Sequence, residues 1–156
     1  MDYITVTLPV PAYVQQWAEH HFGRPVRFPN RSAENATLHD LLRLRPPGAR
    51  DPAAGMQVAV TASALRSPLY YDWLPKPARI EAARMVDRLF LRAMWCDLLP
   101  VTALPRGRLN ETIDAWCAEH GITLDNREAV RQRFYRLRRD FAAHGVPLKP
   151  LKKIKS

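Results

Sequence analysis

Only two cysteines, Cys96 and Cys117, occur in the chain. They stand far apart and no paired ligand spacing exists, which argues against a disulfide framework and against a metal site. Both fall on predicted apolar helix faces, as buried free thiols of a cytoplasmic protein do. No apolar run approaches the ~20 residues of a membrane-spanning helix, so no membrane partner is expected. Met-Asp-Tyr-Ile-Thr-Val at the start lacks the basic and apolar stretches of a secretory leader. Glycine is scarce, at six residues, and no Gly-rich phosphate loop, nucleophile elbow or acidic triad is present. His20-His21 beside Glu19 is the nearest approach to a ligand pair. Adjacent residues on a helix point about 100° apart, so the two cannot chelate one ion as i,i+4 histidines do, and His21 is expected at the core edge. Tyr70 and Tyr71 have no base or acidic cluster in sequence that would make either a nucleophile. The expectation is a non-enzymatic protein without catalytic residues, metal or cofactor.

Acidic residues are absent where they would matter most. From Arg127 to Ser156 the chain carries ten Lys and Arg against two acids, a net of +8. The first 126 residues carry fourteen against thirteen, a net of +1. Charge concentrated in this way marks a site for a polyanion, with nucleic acid the first candidate.

The apolar residues, 47% of the chain, suffice for a core. Tyr3 to Leu8 alternates as a half-buried strand, ended by Pro9 and Pro11, and Met56 to Thr61 alternates in the same way. A helix is expected from Pro11 to a Gly23 cap, with Val10, Val14, Trp17, Ala18 and His21 on one face. A second is expected from about Ala36 to Leu44, with Leu38, Leu41 and Leu42 inward. Pro46 to Gly55 reads as a mobile loop. Leu69 to Pro75 reads as a packed aromatic turn. A long helix from about Pro77 to Leu98 has a broad apolar face of Ala82, Met85, Val86, Leu89, Phe90, Ala93 and Cys96. Residues 100–107 form a connector. Leu109 to His120 is expected to be helical with Asn110 as N-cap, and Gly121 breaks it. Asp125 and Glu128 resemble a capping box opening the last helix, whose Val130, Phe134, Leu137 and Phe141 make a narrow apolar stripe. The expected fold class is α+β: a small α+β region over 1–75, a three-helix region over 76–145 and a basic tail over 146–156.

The helix, short Gly-containing turn and cationic second helix resemble the helix-turn-helix group of DNA-binding domains, in a looser tri-helical variant, over roughly residues 78–142. The resemblance implies that the second helix enters the major groove. Arg131, Gln132, Tyr135, Arg138 and Arg139 would then face bases or backbone. Arg127, Arg136 and the tail lysines Lys149, Lys152, Lys153 and Lys155 would contact phosphates. Pairing at i,i+4 cannot neutralise these arginines, because the helix holds too few acids. The first strand and helix, followed by Asn30-Arg31-Ser32-Ala33-Glu34, are also similar to the ribbon-helix-helix pattern. There Thr5 and Thr7 would face bases, and Arg31 and Ser32 a phosphate. Two small hydroxyls are poor readers, and the strand is expected instead to pair with 56–61, and with 26–28, inside one subunit. The run from Phe22 to Asn35 further resembles uncharacterised proteins of bacterial prophages and mobile elements, which implies an accessory DNA-binding role such as transcription regulation. The expected partner is thus duplex DNA. RNA or single strands, with Tyr135 stacking on a base, and an acidic protein partner are the alternatives. A homodimer is compatible with the pattern, and nothing in the chain fixes it.

Overall fold

A computed structural model describes residues 3–61 and 70–145. Among them are two strands and five α-helices, an α+β fold, in the order β1 (Tyr3–Leu8), α1 (Ala12–Phe22), α2 (Ala33–Leu41), β2 (Met56–Thr61), α3 (Lys76–Leu98), α4 (Arg106–Glu119) and α5 (Arg127–Ala143). Contacts divide the chain into two units, Met1–Leu89 and Phe90–Ser156, so the division falls within α3 rather than near residue 75.

In the first unit β1 and β2 pair antiparallel, from Tyr3 opposite Thr61 to Leu8 opposite Met56. Val26 bonds the other edge of β2, its amide donating to the Gln57 carbonyl (2.9 Å) and its carbonyl accepting from the Ala59 amide (2.8 Å). The N-terminal strand therefore has its partner inside the chain. Both strands are more buried than a half-exposed ribbon: Val6, Thr7 and Leu8 on β1, and Val58, Ala59 and Val60 on β2, are consecutive buried residues. Gly55, with φ of +139°, leads into β2 at a point where a Cβ would stand 2.7 Å from the Thr7 methyl and 2.8 Å from the Leu8 carbonyl oxygen.

The i, i+1, i+4, i+5 set Tyr13, Val14, Trp17 and Ala18 is the buried stripe of α1. Pro11 is its N-cap rather than its first residue, and His21 lies exposed beside Trp17 instead of at the core edge. Helix α2 begins at Ala33, earlier than apolar spacing suggests. The Ser32 hydroxyl accepts from the Asn35 amide (3.2 Å), satisfying one of the orphan donors of the first turn. The helix stops at Leu41 because Leu42 is already extended, its side chain buried and that of Leu41 half-buried.

The Pro-rich segment after α2, expected to be mobile, is tied down by Arg45. Its guanidinium bonds Asp51 (3.2 Å), Asp72 (3.3 Å) and the Ala49 carbonyl (3.3 Å). Arg45 also lies 5.1 Å from the Trp73 ring centre, and Arg79 lies 4.9 Å from the same ring. Burial pulls the Arg45 guanidinium down, but the bond and charge of Asp51, followed by those of Asp72, outweigh it and raise its pKa above the ordinary arginine value. Of the expected aromatic turn, Leu69 lies outside the described residues and Tyr70 is exposed. Trp73 is half-buried under the two arginines rather than sunk in the core.

The second unit is built on three helical segments. Phe90, Met94 and Leu98 of α3, Leu109, Ile113, Trp116 and Cys117 of α4, and Val130 and Phe134 of α5 are all buried. Phe90 meets Trp116 edge-on at 5.9 Å, and Trp95 stacks on Phe141 at 4.8 Å. Spacing of four from Phe90 through Met94 to Leu98 turns Cys96 outward, so this thiol is exposed and only Cys117 is buried. Helix α4 ends in a Schellman turn. Gly121 takes φ of +76°, and the Ile122 amide donates to the Cys117 carbonyl (2.9 Å) while its side chain is buried. A 3₁₀ turn, Leu124–Asn126, runs straight into α5, and the expected capping box is not formed. Asp125 instead accepts from the Thr123 hydroxyl, and Glu128 turns to Arg131 and Gln132.

Candidate nucleic-acid interface

Burial of Val130 and Phe134 fixes how α5 is rotated. Leu137 and Phe141 continue the stripe half-buried. Residues 132, 135, 136 and 139, spaced i, i+3, i+4, i+7, then share another face. In the structure Gln132, Tyr135, Arg136, Arg138, Arg139 and Ala142 line a cavity of about 630 Å³, with Arg106 of α4 as a further lining residue. Four arginines line it, and among the described residues no carboxylate does. Among the described residues none of Arg106, Arg136, Arg138 and Arg139 has an ion-pair partner.

Tyr135 joins the two helices at this point. Its hydroxyl donates to Asn110 Oδ1 at 2.6 Å, and the Arg106 guanidinium lies 4.8 Å from its ring centre. Asn110 is therefore an interior residue of α4 with a tertiary partner and not the N-cap. The helix begins at Arg106, immediately after Pro105, which can offer no side-chain cap and is followed by no acid in the first turn. Reading residues 100–107 as a connector hid Arg106. The signal that would have found it is Pro105, since proline marks helix starts.

The N-terminal half of α5 is occupied differently. Arg131, expected to face DNA, is held by Asp114 of α4 through two bonds (2.9 and 3.4 Å) and by Glu128 at 2.9 Å. One of the two acids, Asp114, is supplied by the neighbouring helix, where spacing along α5 cannot reveal it. Arg127 sits near Cys117, and its Nε is buried with no hydrogen-bond partner among the described residues. Burial pushes the Cys117 thiol up to about 11 although the charge of Arg127 acts the other way, so this cysteine is protonated at neutral pH. Lys149, Lys152, Lys153 and Lys155 lie outside the described residues.

Five of the expected contact residues thus come together (Gln132, Tyr135, Arg136, Arg138 and Arg139), one unforeseen cation, Arg106, joins them, and Arg127 and Arg131 do not line the cavity. Chemically, the site offers charge and multiple N–H donors at fixed spacing, which suits phosphate oxygens. Among the described residues no group of three or more His, Cys, Asp or Glu could hold a metal ion, and no helix is long and apolar enough to cross a membrane. No protein-family model, curated protein or solved structure matches this chain.

Proposed function

We propose that the protein binds duplex DNA without catalysing a reaction on it, through the C-terminal half of α5, Arg106 and the basic tail. The observation that carries this reading is the convergence of four guanidinium groups with no carboxylate among them. Like charges are kept together only at a cost in self-repulsion, and a polyanion removes that cost on binding. Lys149, Lys152, Lys153 and Lys155 extend the same sign of charge along the sequence. Single-strand binding with Tyr135 stacking on a base is the weaker reading, because Arg106 already covers this ring and Asn110 holds its hydroxyl. An acidic protein would be drawn by the same charge, but no feature of the groove favours a peptide over a phosphate backbone.

The test is fluorescence anisotropy of a labelled random-sequence duplex at several salt concentrations. With about six phosphates neutralised, the logarithm of the affinity falls against the logarithm of salt with a slope near −5. A flat response, or no binding at low salt, defeats the proposal. Tighter binding to the matched single strand would transfer it to single-stranded nucleic acid.

A further inference from the structure

The groove is a different instrument from the recognition helix that the helix-turn-helix resemblance implies. Such a helix presents its N-terminal residues to base edges. Here Arg131 is occupied by Asp114 and Glu128, and Arg127 has its Nε buried and is not among the residues lining the groove. The guanidinium groups that line the groove lie on the C-terminal half of α5 and at the first residue of α4, and among the described residues none of them has a carboxylate partner. Among the described residues that line the groove Gln132 is the only side-chain amide, and one of its two Nε2 protons goes to Glu128 (3.4 Å). The groove thus holds four guanidinium groups, able to grip phosphate oxygens or to pair with guanine, and the charge concentrated on them favours the phosphate role.

We infer that the groove between the start of α4 and the C-terminal half of α5 is a phosphodiester clamp that grips the backbone of duplex DNA without reading its sequence, with Arg106 as one jaw and Arg136 and Arg139 as the other. Tyr135 is the positioning residue. Bonded to Asn110 and lying under Arg106, it seats the α4 guanidinium against the α5 face, so that both jaws exist before the ligand arrives. A preformed arrangement loses less side-chain freedom on binding than four independent arginines would. The inference rests on the proposed DNA binding and adds to it a mode of recognition and a residue, Arg106, outside α5 and the tail.

The experiment uses the full chain, two labelled duplexes of unrelated sequence, and the variants Arg106→Ala, Arg106→Lys, Tyr135→Phe and the double variant. Wild type is expected to bind both duplexes within about twofold. Arg106→Ala is expected to weaken both about tenfold, as loss of one charge-assisted contact does, and to flatten the salt slope by about one. Arg106→Lys restores the slope and only part of the affinity, because a point charge replaces a fork of donors. Tyr135→Phe weakens binding by a few-fold with the slope unchanged, and this loss disappears in the Arg106→Ala background, which a merely structural role would not produce. Inorganic phosphate is expected to compete no better than chloride at equal ionic strength.

Salt-sensitive wild-type binding that Arg106→Ala leaves intact would overturn the clamp while sparing the DNA-binding reading. A preference of more than about tenfold between the duplexes would show a sequence reader instead. Displacement of the duplex by phosphate beyond its ionic-strength effect would make the groove a small-anion site. Absence of wild-type binding at low salt would remove the DNA-binding reading itself, and the clamp with it.

Discussion

Arg45, in the first unit, directs its guanidinium to Asp51, Asp72, the Ala49 carbonyl and the Trp73 ring, while Arg136 and Arg139, in the second, have no carboxylate partner among the described residues. The contrast extends to neighbours. In the first unit Arg24 pairs with Glu19 (3.4 Å), Arg27 lies over Tyr3, and Arg43 donates to the Asp40 carbonyl (2.6 Å). There arginine is a local cross-link, tying segments that a short strand pair cannot hold alone. In the second unit Arg131 is cross-linked in the same way, to Asp114 and Glu128, whereas the arginines that line the groove have no carboxylate partner among the described residues. Arginine content alone therefore carries little information about binding. What marks the candidate surface is that four guanidinium groups without a carboxylate partner among the described residues line one groove.

Replacing three arginines in each unit separates these roles, and the largest effect is expected in the groove. Arg136, Arg138 and Arg139 changed together to Ala should lower affinity for duplex DNA about a hundredfold at physiological salt and flatten the salt slope by about three. A charge-matched set in the first unit, Arg24, Arg27 and Arg43 changed to Gln, removes the same +3 and should alter affinity by less than about threefold. Anisotropy on both variants decides between placement and net charge. Equal losses would mean that any three positive charges serve, and the comparison between the units would collapse.

The next effect is on stability alone. Gly55→Ala places a methyl group 2.7 Å from the Thr7 side chain at a φ that L-residues rarely adopt. It should cost about 2 kcal/mol in thermal or urea unfolding. Since Gly55 belongs to the sheet and not to the cationic groove, the salt slope of DNA binding should stay as in the wild type. A change in slope would show that the first unit takes part in the contact.

The sheet was legible in the sequence because alternation is a local property: Tyr3 to Leu8 and Met56 to Thr61 each announce a strand, and their pairing follows from having no other strand-length partner. The narrow stripe of α5 was legible for the same reason, since Val130 and Phe134 repeat at helical spacing. What could not be read was anything decided by a second element. Cys96 belongs to the apolar face of α3 by count, yet the buried row through Phe90, Met94 and Leu98 leaves it outside. Asn110 has the composition of a cap, but Tyr135 claims its side chain from α5. The candidate site could be read as a charge excess, but the pairing of Arg131 could not, because Asp114, which holds it, is seventeen residues away in sequence.

That pairing supplies the smallest and most discriminating prediction. Arg131 stands at the boundary between the two uses of arginine, cross-linked to Asp114 yet on the helix that carries the groove. Asp114→Asn keeps the shape of the side chain and one acceptor oxygen but removes its charge, while Glu128 still holds Arg131 from within α5. Both partners of the Arg131–Asp114 pair are about one-third exposed, so the stability lost should be about 1 kcal/mol or less. If Asp114 neutralises Arg131, its removal adds one unit of positive charge to α5 and its surroundings, so affinity for duplex DNA should rise two- to threefold and the salt slope should steepen by less than about one. A fall in affinity would carry the opposite lesson. Asp114 would then be the group that aims Arg131 at the DNA, and the contact surface would extend along the whole of α5.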